Sequence, residues 1–176
     1  MSDAESRRVY LGLGSNMGDR GEALRDAVRR IGQLEETAML RCSSVYETDP
    51  WGDVPQDAYL NTVAEIRTSL QPEKLLQSLL DIERDMGRVR EVKYGPRRID
   101  IDILFFGETV LEGTEIIIPH PRIAERNFVL IPLEELRPEL LHPVMQSTVA
   151  ELRALCSDTG GISKTDIRLW PETATS

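Results

Sequence analysis

Two aspartates, Asp100 and Asp102, interrupt the apolar run Ile99-Asp100-Ile101-Asp102-Ile103-Leu104-Phe105-Phe106. Its β-branched and aromatic residues predict a strand from Ile99 to Phe106. Alternation then puts Ile99, Ile101, Ile103 and Phe105 on one face and both acids on the other. Two residues along a strand span about 7 Å, where two carboxylates repel by about 2 kcal/mol at an effective dielectric near 20. A divalent cation is the simplest compensation, and oxygen-only ligands favour Mg²⁺ or Mn²⁺ over Zn²⁺. Alone, the pair is equally compatible with the solvated face of an edge strand. It is not alone: Arg84, Arg88, Arg90, Lys93, Arg97 and Arg98 place six cations in the fifteen residues leading into it. Acids and cations together point to a polyphosphate, with metal ions bridging carboxylates to phosphate oxygens and guanidinium groups taking the remaining charge. Of the 21 basic residues only Lys74, Lys93 and Lys164 are lysine; the rest are arginines, whose planar fork suits phosphate.

Other candidates are weaker on their own. Tyr59 and Asn61 share a face at the start of a strand, where a ring and an amide can read a flat heterocycle or simply form a half-buried pair. His120 sits in the rigid Pro119-His120-Pro121-Arg122 loop, able to meet a phosphate or to cap the loop. The cluster Gly12-Leu13-Gly14-Ser15-Asn16-Met17-Gly18 lacks both the G-x-G-x-x-G spacing and the G-K-[ST] ending of nucleotide loops, and reads as a turn into a helix. With His120 and His142 the only histidines, a Ser-His-Asp or Cys-His nucleophile has little support.

The elements that must position these groups follow from periodicity. Strands are expected over Arg8 to Leu13, Met39 to Glu47, Tyr59 to Thr68, Ile99 to Phe106 and Ile116 to Ile118. Helices are expected over Asp19 to Leu34, from Pro72 to Met86 with Gly87 as its stop, over Asn127 to Leu136 and over Thr148 to Cys156. The order predicts an α+β fold with a ferredoxin-like βαββαβ core, a mainly antiparallel sheet, extra short strands and C-terminal helices that complete three α/β/α layers. A doubly wound parallel fold would need more alternating helices. One domain is expected over 1–160, with a peripheral tail over 161–176 that Leu169 and Trp170 could dock against it.

The chain has 176 residues, 40% of them hydrophobic and 29% charged, with a net charge of −9. That balance disfavours nucleic acid and anionic membrane surfaces as partners. No apolar run approaches the roughly 20 residues of a membrane helix, and no signal peptide is legible. A monomer in the cytoplasm is the expectation, with Cys42 and Cys156 reduced.

Read in order, the motifs Gly12-x-Gly14-Ser15-Asn16-x-Gly18, Ser44-x-Tyr46-x-Thr48-x-x-x-Gly52, Tyr59-Leu60-Asn61, Gly87-Arg88-x-Arg90-x-x-x-Tyr94-Gly95-Pro96-Arg97-x-x-Asp100-x-Asp102-Ile103 and Pro119-His120-Pro121-Arg122-x-x-x-Arg126-x-Phe128 resemble the 6-hydroxymethyl-7,8-dihydropterin pyrophosphokinases of folate synthesis. The run from Gly87 to Asp102 is the specific part. The resemblance implies transfer of the β,γ-pyrophosphoryl group of ATP to the pterin hydroxymethyl, releasing AMP. It implies two Mg²⁺ held by Asp100 and Asp102, with Arg88 and Arg97 neutralising the moving group. By the same resemblance Glu83, Arg90, Tyr94, Ile103, His120 and Arg126 border ATP. Tyr59 and Phe128 sandwich the pterin, while Thr48, Asp49, Trp51 and Asn61 surround its edge. Tyr94 replaces a common tryptophan, Leu80 a polar residue, and Asp49 a frequent proline, a change expected to loosen the pterin-side loop. The loops over Asp49 to Asp57 and Arg88 to Tyr94 are expected to act as lids.

Two other readings compete. Another Mg²⁺-dependent phosphotransferase or nucleotidyltransferase on the same sheet would leave ADP, or a nucleotidylated product. An RNA-binding module of the same topology would need exposed aromatics and a basic surface.

Overall fold

The computed structural model describes residues 6–50, 56–87 and 98–170. Strand β1 (Arg7–Ser15) alternates Val9, Leu11 and Leu13 toward one core with Tyr10, Gly12 and Gly14 toward the other face. Helix α1 (Arg20–Gly32) follows, opened by Asp19, whose side chain accepts the Glu22 N–H. Then come β2 (Thr37–Cys42), β3 (Tyr46–Thr48) and β4 (Tyr59–Thr68). Helix α2 (Pro72–Asp85) starts on proline, where a missing N–H costs nothing. Strand β5 (Asp100–Phe106) closes the βαββαβ unit. The remainder is the β6 (Leu111–Glu112) and β7 (Ile117–Ile118) hairpin, a 3-10 turn over Ile123–Glu125, α3 (Asn127–Leu136), α4 (Val149–Leu155) and β8 (Ile162–Lys164). A Thr148–Glu151 capping box starts α4.

The main sheet is antiparallel in the order β5-β1-β4-β3-β8, with β2 also paired to β4. This is the ferredoxin-like order, extended by one edge strand. Helices α1 and α2 cover one face, where Leu24, Val28, Ile31, Leu75 and Leu79 meet Leu11, Ile66 and Ile101. Helices α3 and α4 cover part of the other, where Leu130, Leu133 and Val149 meet Tyr10, Val63 and Phe105. The three layers and mainly antiparallel sheet agree with the sequence. Among the described residues no helix is long and apolar enough to cross a membrane.

Four local expectations are corrected. The expected strand from Met39 to Glu47 is two strands, because Ser43 uses its own hydroxyl to accept the Val63 N–H at 3.0 Å. Phe105 does not share a face with Ile99, Ile101 and Ile103. The β1–β5 register shifts between Tyr10 and Leu11, so Leu104 and Phe105 both turn toward α3 while Phe106 joins the α1/α2 core. Gly12 and Gly14 lie inside β1 rather than in a turn; only Gly18, at φ +67°, takes the left-handed conformation expected there. Finally, residues 162–164, assigned to the peripheral tail, form β8 on the sheet edge; Leu169 docks in the core, as expected.

Candidate active site

Helices α3 and α4 leave one end of their sheet face open, and a cleft of about 270 Å³ occupies it. Its floor is β1. Across the sheet Gly12 pairs with Asp102 on one side and Val63 on the other, while Gly14 pairs with Asp100 and Asn61. Paired residues of an antiparallel ladder project to the same face. The acid pair and the amide therefore flank a strip of backbone that carries no side chains. A Cβ on Gly14 would lie 2.6 Å from Asn61 Oδ1, so the amide fits only because that strip is glycine.

On the β4 side Asn61 is nearly buried, and its Nδ2 donates to Thr48 Oγ1 at 2.7 Å. Thr48 closes β3, so the ladder itself orients the amide. Tyr59 and Asp49 line the same wall. Asn16 steadies the adjoining loop by donating to Gln56 Oε1 at 2.8 Å and to the Asp57 carbonyl at 3.1 Å.

Opposite stand Phe128, Arg126 and His120. Arg126 precedes α3 and Phe128 is in its first turn; the guanidinium lies 5.4 Å from the Phe128 ring centroid. Burial, with Arg122 nearby, lowers the Arg126 pKa, while Asp102, Glu125 and Asp100 oppose the shift. A guanidinium so placed stays charged. The His120 backbone N–H donates to the Leu104 carbonyl at 3.0 Å, which fastens the Pro-His-Pro loop to the β5 bulge. Its Nδ1 accepts the Arg122 N–H at 3.1 Å, leaving the proton of the neutral ring on Nε2. Burial, then Arg126 and Arg122, push the imidazole down to about 4 against the pull of Asp100. His120 thus caps its loop and lines the cleft as a neutral donor.

The cleft brings together Thr48, Asp49, Tyr59, Asn61, Asp100, Asp102, His120, Arg126 and Phe128. It does not include the side chains of Glu83 or Ile103. Ile103 packs in the α1/α2 core, on the far side of β5. Glu83, on α2, is buried and accepts the Ile101 N–H at 2.7 Å, bracing the outer edge of β5 between the two acids. Trp51, Arg88, Arg90, Tyr94 and Arg97, with most of both expected lids, lie outside the described residues. Sequence reading missed Gly12 and Gly14 as floor and Val63, Leu104 and Val129 as apolar lining. The antiparallel pairing implied by βαββαβ order was the signal that could have set the glycines opposite the acids.

No group of three or more His, Cys, Asp or Glu side chains converges as a metal site among the described residues. Asp100 and Asp102, paired with Gly14 and Gly12 on one face of β5, offer the oxygen donors that suit a hard cation.

Two carboxylates, an arginine and a histidine gather with an amide, a tyrosine and a phenylalanine around a glycine floor in one cleft of a ferredoxin-like sheet. Residues 10–138 match the family model of 7,8-dihydro-6-hydroxymethylpterin-pyrophosphokinase. The chain is 48% identical over 128 residues to the 2-amino-4-hydroxy-6-hydroxymethyldihydropteridine pyrophosphokinase of Bacillus subtilis, covering 73% of this chain and 77% of that protein. It is 40% identical over 146 residues to the folic acid synthesis protein fol1 of Pneumocystis carinii, covering 83% of this chain but 20% of that longer protein. A solved Plasmodium falciparum HPPK-DHPS structure superposes with a TM-score of 0.69 at 18% identity, covering 85% of this chain and 45% of that one. The chain belongs to the 7,8-dihydro-6-hydroxymethylpterin-pyrophosphokinase family, the ATP- and Mg²⁺-using transferases of folate synthesis.

Proposed function

We propose that this cleft carries the family reaction, transfer of pyrophosphate from ATP to 6-hydroxymethyl-7,8-dihydropterin, with the triphosphate over Asp100 and Asp102 and the pterin against Asn61. The observation that supports it best is the register of β1, which sets Gly12 opposite Asp102 and Gly14 between Asp100 and Asn61. Two reactants held on adjacent strips of one floor meet as in a unimolecular step.

Asp100 and Asp102 would hold two Mg²⁺ ions, which would supply positive charge to offset that of the phosphates. The pterin hydroxymethyl oxygen attacks the β-phosphorus; that O–P bond forms as the bond from the β-phosphorus to the α,β-bridging oxygen breaks. AMP leaves with the bridging oxygen, and the hydroxyl proton passes to solvent water. Arg126 offers a fixed charge and His120 an uncharged Nε2–H to phosphate oxygens. With its Nδ1 engaged by Arg122, His120 is not the base. Alignment and charge neutralisation dominate such transfers. Arg88 and Arg97 are assigned by sequence to the moving group, and Arg90 and Tyr94 to the nucleotide. Glu83 acts here as a brace for β5. Tyr59 and Phe128 sandwich the heterocycle, while Asn61 and Thr48 read its edge, with Asp49 and Trp51 on the adjoining loop.

Product analysis tests this assignment. The chain incubated with ATP, Mg²⁺ and 6-hydroxymethyl-7,8-dihydropterin yields AMP and a pterin diphosphate in equal amounts. ADP with a pterin monophosphate, or pyrophosphate with a nucleotidylated pterin, would overturn it.

A further inference from the structure

The segment that follows α4 passes beside the cleft and is tied to both of its walls. Strand β8 pairs with β3, Ile162 opposite Thr48 and Lys164 opposite Tyr46. One residue earlier, the Gly161 N–H donates to Asp49 Oδ2 at 2.9 Å, and the Asp49 N–H donates to the Gly161 carbonyl at 3.1 Å. Three residues before that, Asp158 grips the start of α3. Its Oδ2 accepts the Asn127 N–H at 2.9 Å and its carbonyl accepts Asn127 Nδ2 at 3.0 Å. The Gly160 N–H donates to Asp158 Oδ1 at 2.9 Å, tying the two grips into one turn.

Each grip ends one residue from a group that faces the cleft. Asp49 follows Thr48, which orients Asn61. Asn127 precedes Phe128, whose ring forms the opposite wall. We propose that residues 158–164 are a positioning strap that fixes the spacing between the Thr48–Asn61 wall and Phe128, and so sets affinity for the pterin. The inference rests on the cleft's assignment to ATP and pterin above.

The residue types fit this role. A Cβ on Gly161 would lie 2.8 Å from Asp49 Oδ2, so glycine permits the close approach. A proline at position 49 would supply neither the N–H nor the carboxylate. Asp49, where sequence suggested a looser loop, ties its own end of that loop to the strap. The strap itself lies outside the main cleft, behind a smaller space of about 160 Å³ bordered by Pro50 and Phe128. It acts through other residues, not on substrate.

Gly161→Val and Asp158→Ala, in the full chain, test the strap. Titration with 6-hydroxymethylpterin and with α,β-methylene-ATP–Mg²⁺ reads the two subsites separately. Each variant is expected to weaken pterin binding about tenfold, the equivalent of one or two lost hydrogen bonds. Nucleotide affinity should stay within about twofold and kcat at saturating pterin within about threefold. Asp158→Asn keeps one acceptor oxygen and should recover part of the loss. If Gly161→Val does not fold, the Asp158 pair decides. Unchanged pterin affinity in a folded Asp158→Ala chain would overturn the strap, as would equal losses for pterin and nucleotide. Either result leaves wild-type formation of AMP and pterin diphosphate intact; failure of that turnover would instead count against the functional assignment itself.

Discussion

Neutralising one of the two acids should separate function from stability. Asp100 and Asp102 lie two residues apart on one face of β5, about 7 Å by strand geometry. Their repulsion is about 2 kcal/mol at an effective dielectric near 20. Asp102→Asn relieves it but also removes an attraction to Arg126, which senses both acids. These terms have opposite signs and similar range, so the metal-free change should fall within about 1 kcal/mol, or about 2–4 °C in melting temperature for a chain of this size. Ligand linkage behaves differently. Bound at a hundred times its dissociation constant, α,β-methylene-ATP with Mg²⁺ stabilises the wild type by about 2.7 kcal/mol, or about 5–10 °C. Asp102→Asn at the same concentrations should lose most of that shift and all turnover. Thermal melts in EDTA and in Mg²⁺, with and without the analogue, read both quantities. A metal-free loss above about 3 kcal/mol would assign the pair a structural role. A full Mg²⁺-dependent shift in the variant would refute the phosphate-side assignment.

Gly14→Ala puts a Cβ 2.6 Å from Asn61 Oδ1 and breaks the Asn61–Thr48 bond. The pterin KM should rise about tenfold while the ATP KM stays within about twofold, read by initial rates. The two histidines allow direct NMR titration: His120 should remain neutral down to about 4, and His142, also buried, should titrate below its ordinary value. A His120 midpoint near the ordinary value of about 6.5 would refute its burial against two arginines. Both folded-state values are depressed, so the neutral rings contribute stability above about pH 6.5 that acidification removes as pH falls toward the folded values; melts across this window check the sign. Arg97→Ala should lower kcat about a hundredfold with pterin affinity within about threefold, as single-turnover rates and titration will report.

Much of this architecture was legible because two periods rarely mislead. The alternation in Val9, Leu11 and Leu13 and the helical spacing of Leu75, Leu79 and Ile82 each specify a buried face. The Asp100–Asp102 pair was legible because acids inside an apolar strand need a reason. What escaped was set by pairing between distant segments. The slip opposite Tyr10 that turns Phe105 depends on two strands at once. Gly12 and Gly14 look like turn residues until β4 and β5 flank them. Ser44 and Tyr46 stand in the motif of the resemblance, yet both donate to Glu135 of α3, at 2.9 and 2.8 Å, and fasten the layer that carries Phe128. β8 escaped because three polar-flanked residues become a strand only through the exposed edge of β3.

The most direct test replaces Mg²⁺ with paramagnetic Mn²⁺ in the complex with α,β-methylene-ATP and 6-hydroxymethylpterin. Broadening of the Gly12, Gly14, Asp100 and Asp102 amide signals and of the pterin methylene protons, absent in Asp100→Asn/Asp102→Asn, is the expected result. Broadening centred elsewhere on the chain, or undiminished in that double variant, would contradict a shared floor for nucleotide and pterin.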